Sequence, residues 1–451
     1  MEKYALKKTE FTKCLFPTLT AMLKRSIGRW EMVLLFINGV IGAGIFGLPG
    51  KVFQMAGTYS MLALLLCMLA VFVIVLCFAE VSSRFQDTGG PYLYALSAFG
   101  PVPAFLTGWL LLLTRFITYA ALINLLVTYL GVFSDWFTLP VPRVVCITGL
   151  TLLLAIINHL GIRNTTRTNN FLTIGKLLPL LLFIGVGFFF TEPERLRWEN
   201  APGFKDLSST VLLWIFAFGG FESVLVNSGE VKDPRRNLPF ALLIATLCIA
   251  TIYILILVVS IGTLPELATS DKPLAAAAGL FMGKWGALLI GVGAVVSITG
   301  TLNAIMLVGS RLPFAFSLQG QFPAFFQKIH VKYATPVLSL WAFAGVTLAV
   351  SLSQSFIAAA TLSAITRVMI YGIICIALLR LRKKDTGAET YLKLRYGKAL
   401  AWIALPLVGW LLSSSKQQEI IAIATALGVG LVIYGLVMVN KKVEVKDSER
   451  F

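Results

Sequence analysis

Twelve apolar runs divide the chain, at about 31–56, 59–83, 104–130, 142–160, 168–190, 208–231, 238–262, 285–311, 335–352, 356–381, 398–413 and 418–439. All but the eleventh reach the roughly 17 residues that a helix needs to cross a bilayer. The composition agrees: 13% of residues are charged, about half the share of a soluble domain, too few to cover a water-facing surface. The stretches between the longer runs, about 190–207, 263–284, 312–334 and 382–397, are too short to bury a core of their own. A single all-α integral membrane domain is therefore expected, with no soluble domain appended.

The net charge of +17 would suggest nucleic acid in a soluble protein, but its distribution argues against that. If the twelve runs alternate from a cytoplasmic N-terminus, 27 of the 38 Lys and Arg fall on that side. Only Arg143, Arg195, Arg197, Lys205, Lys272, Lys284 and Lys416 fall opposite. Positive charge concentrates on the cytoplasmic side of membrane proteins, so both termini are expected in the cytoplasm of a cell-membrane protein, with anionic lipid as the partner of the basic loops. Residues 1–30 are basic and hold no apolar core of signal-peptide length.

Other chemistries find little support. No GxxxxGK[ST] phosphate loop occurs, so transport would draw on gradients rather than ATP. Five cysteines (67, 77, 146, 248, 375) lie within apolar runs and Cys14 in the N-terminal tail, leaving none outside for a disulfide. His159 and His330 are read as structural or solvated. No metal, cofactor or nucleic acid is expected, and no enzyme, since no nucleophile clusters with a base. A channel would show polar rings along a pore, whereas the polar groups here gather at two places.

The first place is "GVIGAGIFGLPG", 39–50. Glycine costs a helix interior about 1 kcal/mol relative to alanine and proline about 3. The second is "FAFGGFESVLVNSGE", 216–230, where Gly219 follows Gly42 by 177 positions. Glycine-interrupted segments at matching places in two halves point to a binding site built from discontinuous helices. Runs 1–5 and 6–10 would then form a five-plus-five inverted repeat. Unwinding inside lipid is tolerable only where the freed groups find partners. The N–H groups of Ala43, Gly44 and Ile45, at the positive end of a half-helix, suit a carboxylate. The carbonyls around Val40 and Ile41, and around Phe216 and Phe218, suit an ammonium. Together they fit the zwitterionic head of an α-amino acid. The alternative is that these glycines only let helices pack closely.

These residues resemble the amino-acid/polyamine/organocation transporters. "GVIGAGIFGLPG" is similar to that family's first-helix signature, and "FAFGGFESVLVNSGEVKDPRRNLPFAL" (216–242) to its sixth-helix signature. "FAEVSSRFQDTGGPYLYALSAFG" (78–100) and "SRLPFAFSLQGQFPAFFQKIHVKYATP" (310–336) support the likeness, which covers about residues 28 to 440. It implies twelve transmembrane helices with helices 1 and 6 broken. The layout would be an N-terminal tail at 1–30 and a ten-helix core at 31–381 (repeats at about 31–190 and 208–381). Helices 11 and 12 would lie at 382–440 and a tail at 441–451. It also implies alternating access, with an amino acid held by Val40, Ile41, Gly42, Ala43, Gly44, Ile45, Phe216, Ala217, Phe218 and Gly219. Phe216 falls where relatives often place an aromatic gate. The "GEVKDPRRNLP" run (229–239) and the "TGGPY" turn (88–92) are read as a charged loop and a helix start.

Ionisable groups inside a membrane are costly and functional by default. In sodium-independent relatives a lysine matching Lys176 occupies the place of a sodium ion. Burial disfavours any charged form, so Lys176 either gives up and regains a proton during the cycle or stays charged and braces the carbonyls of run 1. Glu222 has three open roles: contacting a cationic substrate, carrying a proton, or pairing with Arg115 or Arg367. Ion pairing would tilt the substrate toward neutral amino acids. The expectation is a sodium-independent amino-acid symporter or exchanger, coupled to protons. The alternatives are an antiporter or exporter of cationic amino acids or polyamines, a channel, or a partner-dependent membrane subunit.

Overall fold

A computed structural model describes residues 27–85, 89–160, 166–198, 200–225, 231–330, 333, 335–384 and 392–448. Residues 1–26 with Cys14, Thr88 of the "TGGPY" turn and residues 226–230 of the second glycine segment lie outside them. The described residues contain helices and no strand, apart from one isolated bridge between Ile27 and Val231. In chain order the helices are α1 (Arg29–Val40), α2 (Gly44–Ala56), α3 (Ser60–Ser82), α4 (Pro91–Phe99) and α5 (Pro101–Leu130). Next come α6 (Pro140–His159), α7 (Thr166–Gly187), α8 (Phe204–Phe218), α9 (Phe221–Leu225) and α10 (Pro234–Thr263). The last six are α11 (Pro273–Gly309), α12 (Arg311–Leu318), α13 (Val337–Ser353), α14 (Phe356–Lys384), α15 (Gly397–Ser413) and α16 (Gln417–Ser448).

Among the described residues each apolar run of the sequence falls on helix, with three departures in detail. The first run is two helices, interrupted at 41–43. The sixth is likewise two, α8 and α9, separated by Gly219 and Gly220. The eighth begins earlier than its hydropathy suggests: α11 starts at Pro273 and turns a corner at Gly283, whose φ of +65° a residue with a Cβ rarely adopts. Among the described residues seven helical segments are long and apolar enough to cross a membrane, and three further apolar helices are shorter.

α5 and α14 are the most deeply buried of these and pack extensively against each other. α10 lies against α1 and α3, α11 against α5 and α7, and α8 against α2 and α3. α6 and α16 stand at the periphery, with Val145, Leu152, Leu153, Val432 and Leu436 exposed. Such faces are stable against lipid rather than water. Both interruptions lie inside the bundle, where their residues are buried.

Candidate functional site

The first interruption follows from where α1 runs out. Val40 ends the helix and Ile41, at φ −70° and ψ 92°, is extended. The Ile41 N–H still reaches back to the Ile37 carbonyl at 2.8 Å. α2 then starts with Phe46 and Gly47 N–H both directed at the Ala43 carbonyl. Among the described residues the N–H groups of Gly42, Ala43, Gly44 and Ile45 make no hydrogen bond. All four residues are buried. Four unpaired donors at the N-terminus of a 13-residue helix make a positive, anion-attracting end.

The carbonyl side of the same interruption is occupied. Lys176 of α7 is 2% exposed. Its Nζ donates to the carbonyls of Asn38 and Ile41, each at 2.6 Å. Tyr253 of α10 donates to the Ala217 carbonyl at 2.9 Å and comes within 3.4 Å of the Val40 carbonyl. Ile41, expected as an acceptor for a substrate ammonium, is thus engaged by an internal ammonium, because its carbonyl points across α1 to α7.

The second interruption is closed on itself. Gly219 N–H bonds the Phe216 carbonyl at 3.2 Å, and Gly220 N–H donates to Glu222 Oε2 at 3.0 Å. Gly220 has a φ of +123° and touches the Gly39 carbonyl, so the two interruptions meet backbone to backbone. A Cβ on Gly44 would stand 2.7 Å from the Ala217 Cα. These glycines therefore serve close packing as well as interruption. Gly42 differs: a Cβ there would sit 3.6 Å from Thr301, an ordinary contact.

Glu222 is fully buried and its Oε1 pairs with Arg367 Nη1. Arg367 also donates from Nη2 to Thr118 Oγ1 at 3.1 Å and from Nε to Ser363 Oγ at 3.3 Å. Thr118 and Ser363 bond each other at 2.7 Å. The guanidinium lies directly against Gly219. Arg115, expected to share this pairing, makes no ion pair or hydrogen bond among the described residues, and its Nε is buried without a partner. Phe216 packs edge-on against Phe356, centroids 6.0 Å apart, and Phe218 against Tyr253 at 5.2 Å.

The structure thus brings Val40 to Ile45, Phe216 to Gly219, Glu222, Lys176 and Arg367 into one neighbourhood. It adds Tyr253, Thr118, Ser363 and Thr301, which the sequence reading did not single out. Their signal was present: a tyrosine within an apolar run needs a partner for its hydroxyl. His159 and His330, far apart in sequence, meet with ring centroids 5.7 Å apart beside Tyr333 and Trp341. Among the described residues no group of three or more His, Cys, Asp or Glu could hold a metal ion.

Comparison with known proteins gives a consistent result. A family model described as amino acid permease matches residues 27–445. The chain is similar to the branched-chain amino acid permease BcaP of Bacillus subtilis (strain 168), 29% identical over 437 residues, 92% of this chain and 93% of that one. It is 28% identical over 452 residues to the methylthioribose transporter of the same organism, 94% and 97% of the two chains. Against the Asc-type amino acid transporter 1 of Mus musculus the identity is 30% over 383 residues, 80% and 71%.

Proposed function

The chain belongs to the amino acid permease family, a multi-pass membrane transporter of amino acids and not an enzyme, and we propose that it works without sodium, coupled to protons, on neutral amino acids. The single observation that carries this reading is the set of four buried, unpaired N–H groups from Gly42 to Ile45. They receive the substrate carboxylate. The substrate ammonium turns toward the carbonyls at the end of α8, around Phe216 and Phe218, with the Phe216 ring as gate. Lys176 supplies the positive charge that a sodium ion would otherwise bring to the carbonyls of Asn38 and Ile41. Glu222 has one oxygen on Arg367 and the other on Gly220 N–H, which leaves no free carboxylate for a cationic side chain. That favours a neutral one.

In the same reading the twelve apolar runs span the cell membrane as a five-plus-five inverted repeat with two further helices, both termini cytoplasmic. Alternating access arises as the interrupted helices rock about the fixed site.

Uptake into proteoliposomes tests this. The panel comprises neutral, acidic and cationic amino acids, a polyamine and methylthioribose, without sodium, with and without an imposed pH gradient. Uptake of neutral amino acids driven by the gradient into empty vesicles is the expected result. Uptake only into preloaded vesicles makes the protein an exchanger, and a sodium requirement or a preference for cations overturns the reading. In Lys176→Ala the pH dependence of uptake should disappear; retained dependence leaves Lys176 as a brace alone.

A further inference from the structure

Arg115 is 4% exposed, and its Nε has no hydrogen-bond partner. It lies within electrostatic reach of Glu222, Arg367 and Tyr371. The Tyr371 hydroxyl, likewise buried, lies against the Arg367 guanidinium, which can only donate to it, and its own proton has no acceptor. A guanidinium inside a membrane is costly unless something answers its charge. Removing one member of a buried pair is more costly than never having built it. The Arg115 Nε–H and the Tyr371 O–H, two neighbouring donors without an acceptor, therefore point to one that is elsewhere in this state.

Their position says which acceptor. α5 and α14 run antiparallel here, since Thr114 bonds Thr366 and Thr118 meets Ser363. Arg115 precedes Thr118 by three residues on α5, and Tyr371 follows Arg367 by four on α14. Both thus step the same way from the Glu222 pair, by about one helical turn, roughly 5 Å. Glu222 sits on the five-residue α9 immediately after Gly219 and Gly220, the second at φ +123°. Phe221, beside it, already stacks on the Tyr371 ring at 5.3 Å. The other buried carboxylate among the described residues, Glu80, is held by Arg382 through both oxygens at 2.6 Å. Glu222 is the acceptor within reach.

We propose that Arg115 and Tyr371 form a second berth for the Glu222 carboxylate, which leaves Arg367 for Arg115 when the transporter passes to its other access state. The inference rests on the alternating-access reading above. Arg115 is then a positioning residue: it acts on the shape of the α8–α9 interruption through Glu222. Arg115 gains a hydrogen-bonded carboxylate in the other state and Arg367 gives one up, so the two states stay close in free energy.

The test uses the full chain, purified and reconstituted, with amino-acid exchange, equilibrium binding and thermal midpoint measured on each variant. Tyr371→Phe removes a hydroxyl whose proton has no acceptor in this state. Its midpoint should be unchanged or higher and substrate affinity within twofold, while turnover falls about threefold. Arg115→Gln should lower turnover about tenfold, and adding it to Glu222→Gln should cause no further loss. Should either Gln variant fail to fold, Arg115→Lys combined with Tyr371→Phe decides, because the lysine keeps the charge. The berth requires Arg115→Lys to stay within about threefold of wild type and the pair of losses to be non-additive. Normal turnover in Tyr371→Phe, or losses that simply multiply, overturns the proposal. Wild-type transport with unaffected variants overturns it alone; no wild-type transport overturns it together with the reading beneath it.

Discussion

Between Ile41 and Ala43 the chain leaves donors without acceptors, whereas between Phe218 and Phe221 both glycine N–H groups are taken up within the same segment. The first interruption borrows a cation from α7, which answers the Asn38 and Ile41 carbonyls and leaves the N–H groups of its positive end unpaired. The second carries its own anion, Glu222, which answers a donor and is in turn held by Arg367 of α14, itself tied to Thr118 of α5. Similar glycine-rich sequences thus acquire different jobs from the charge beside them. One leaves its backbone donors open; the other ties them to a built-in counter-ion.

Substitutions sharpen that contrast. The largest effect is expected for Gly220→Ala. The φ of +123° costs about 1–3 kcal/mol for a residue with a Cβ, and the new methyl would run into the Gly39 carbonyl. Little folded protein should survive size-exclusion chromatography. Gly42→Ala, whose Cβ meets Thr301 at 3.6 Å, should elute as the wild type does. Comparable loss in both would erase the distinction between hinge and cradle.

Next in size is Arg367→Gln, which strands the buried Glu222. A loss of about 3–5 kcal/mol is expected, read as unfolding midpoint in detergent. Lys176→Ala strands only two carbonyls and should cost about 1–3 kcal/mol. The reverse order would mean that the first interruption, not the second, carries the structural charge pair.

The smallest effect belongs to Tyr253→Phe. The hydroxyl bridges the Ala217 and Val40 carbonyls, and a hydrogen bond inside a membrane protein averages about 0.6 kcal/mol. The midpoint should barely move while exchange slows, since the two interruptions lose their shared tie. Unchanged exchange would show that they move independently.

How much of this was legible beforehand differs between the same two regions. Both interruptions could be read from the sequence, because glycine pairs inside apolar runs are costly unless something needs them. Lys176 was legible as a buried cation, but its choice of Asn38 and Ile41 depends on the angle between α1 and α7. Arg115 was read as a pairing partner; among the described residues it lies within electrostatic reach of Glu222 and makes no direct hydrogen bond. α5 is buried nearly all round, so burial alone does not mark which face meets the Glu222–Arg367 pair. The opposition between packing glycine and site glycine also dissolved. Gly39, Gly44 and Gly220 are close contacts, whereas Gly42 has room. That distinction comes from the neighbouring helix and cannot be seen in the segment itself.

The central claim is that the free N–H groups from Gly42 to Ile45 hold a carboxylate. The most direct measurement is equilibrium binding to the purified wild-type protein of an amino acid that it transports, set against the carboxamide of the same amino acid. The amide keeps the ammonium and side chain and loses only the charge that those donors receive. Its binding should be weaker by about one to two orders of magnitude, the worth of a charge-assisted hydrogen bond. Equal affinity for acid and amide would contradict the account.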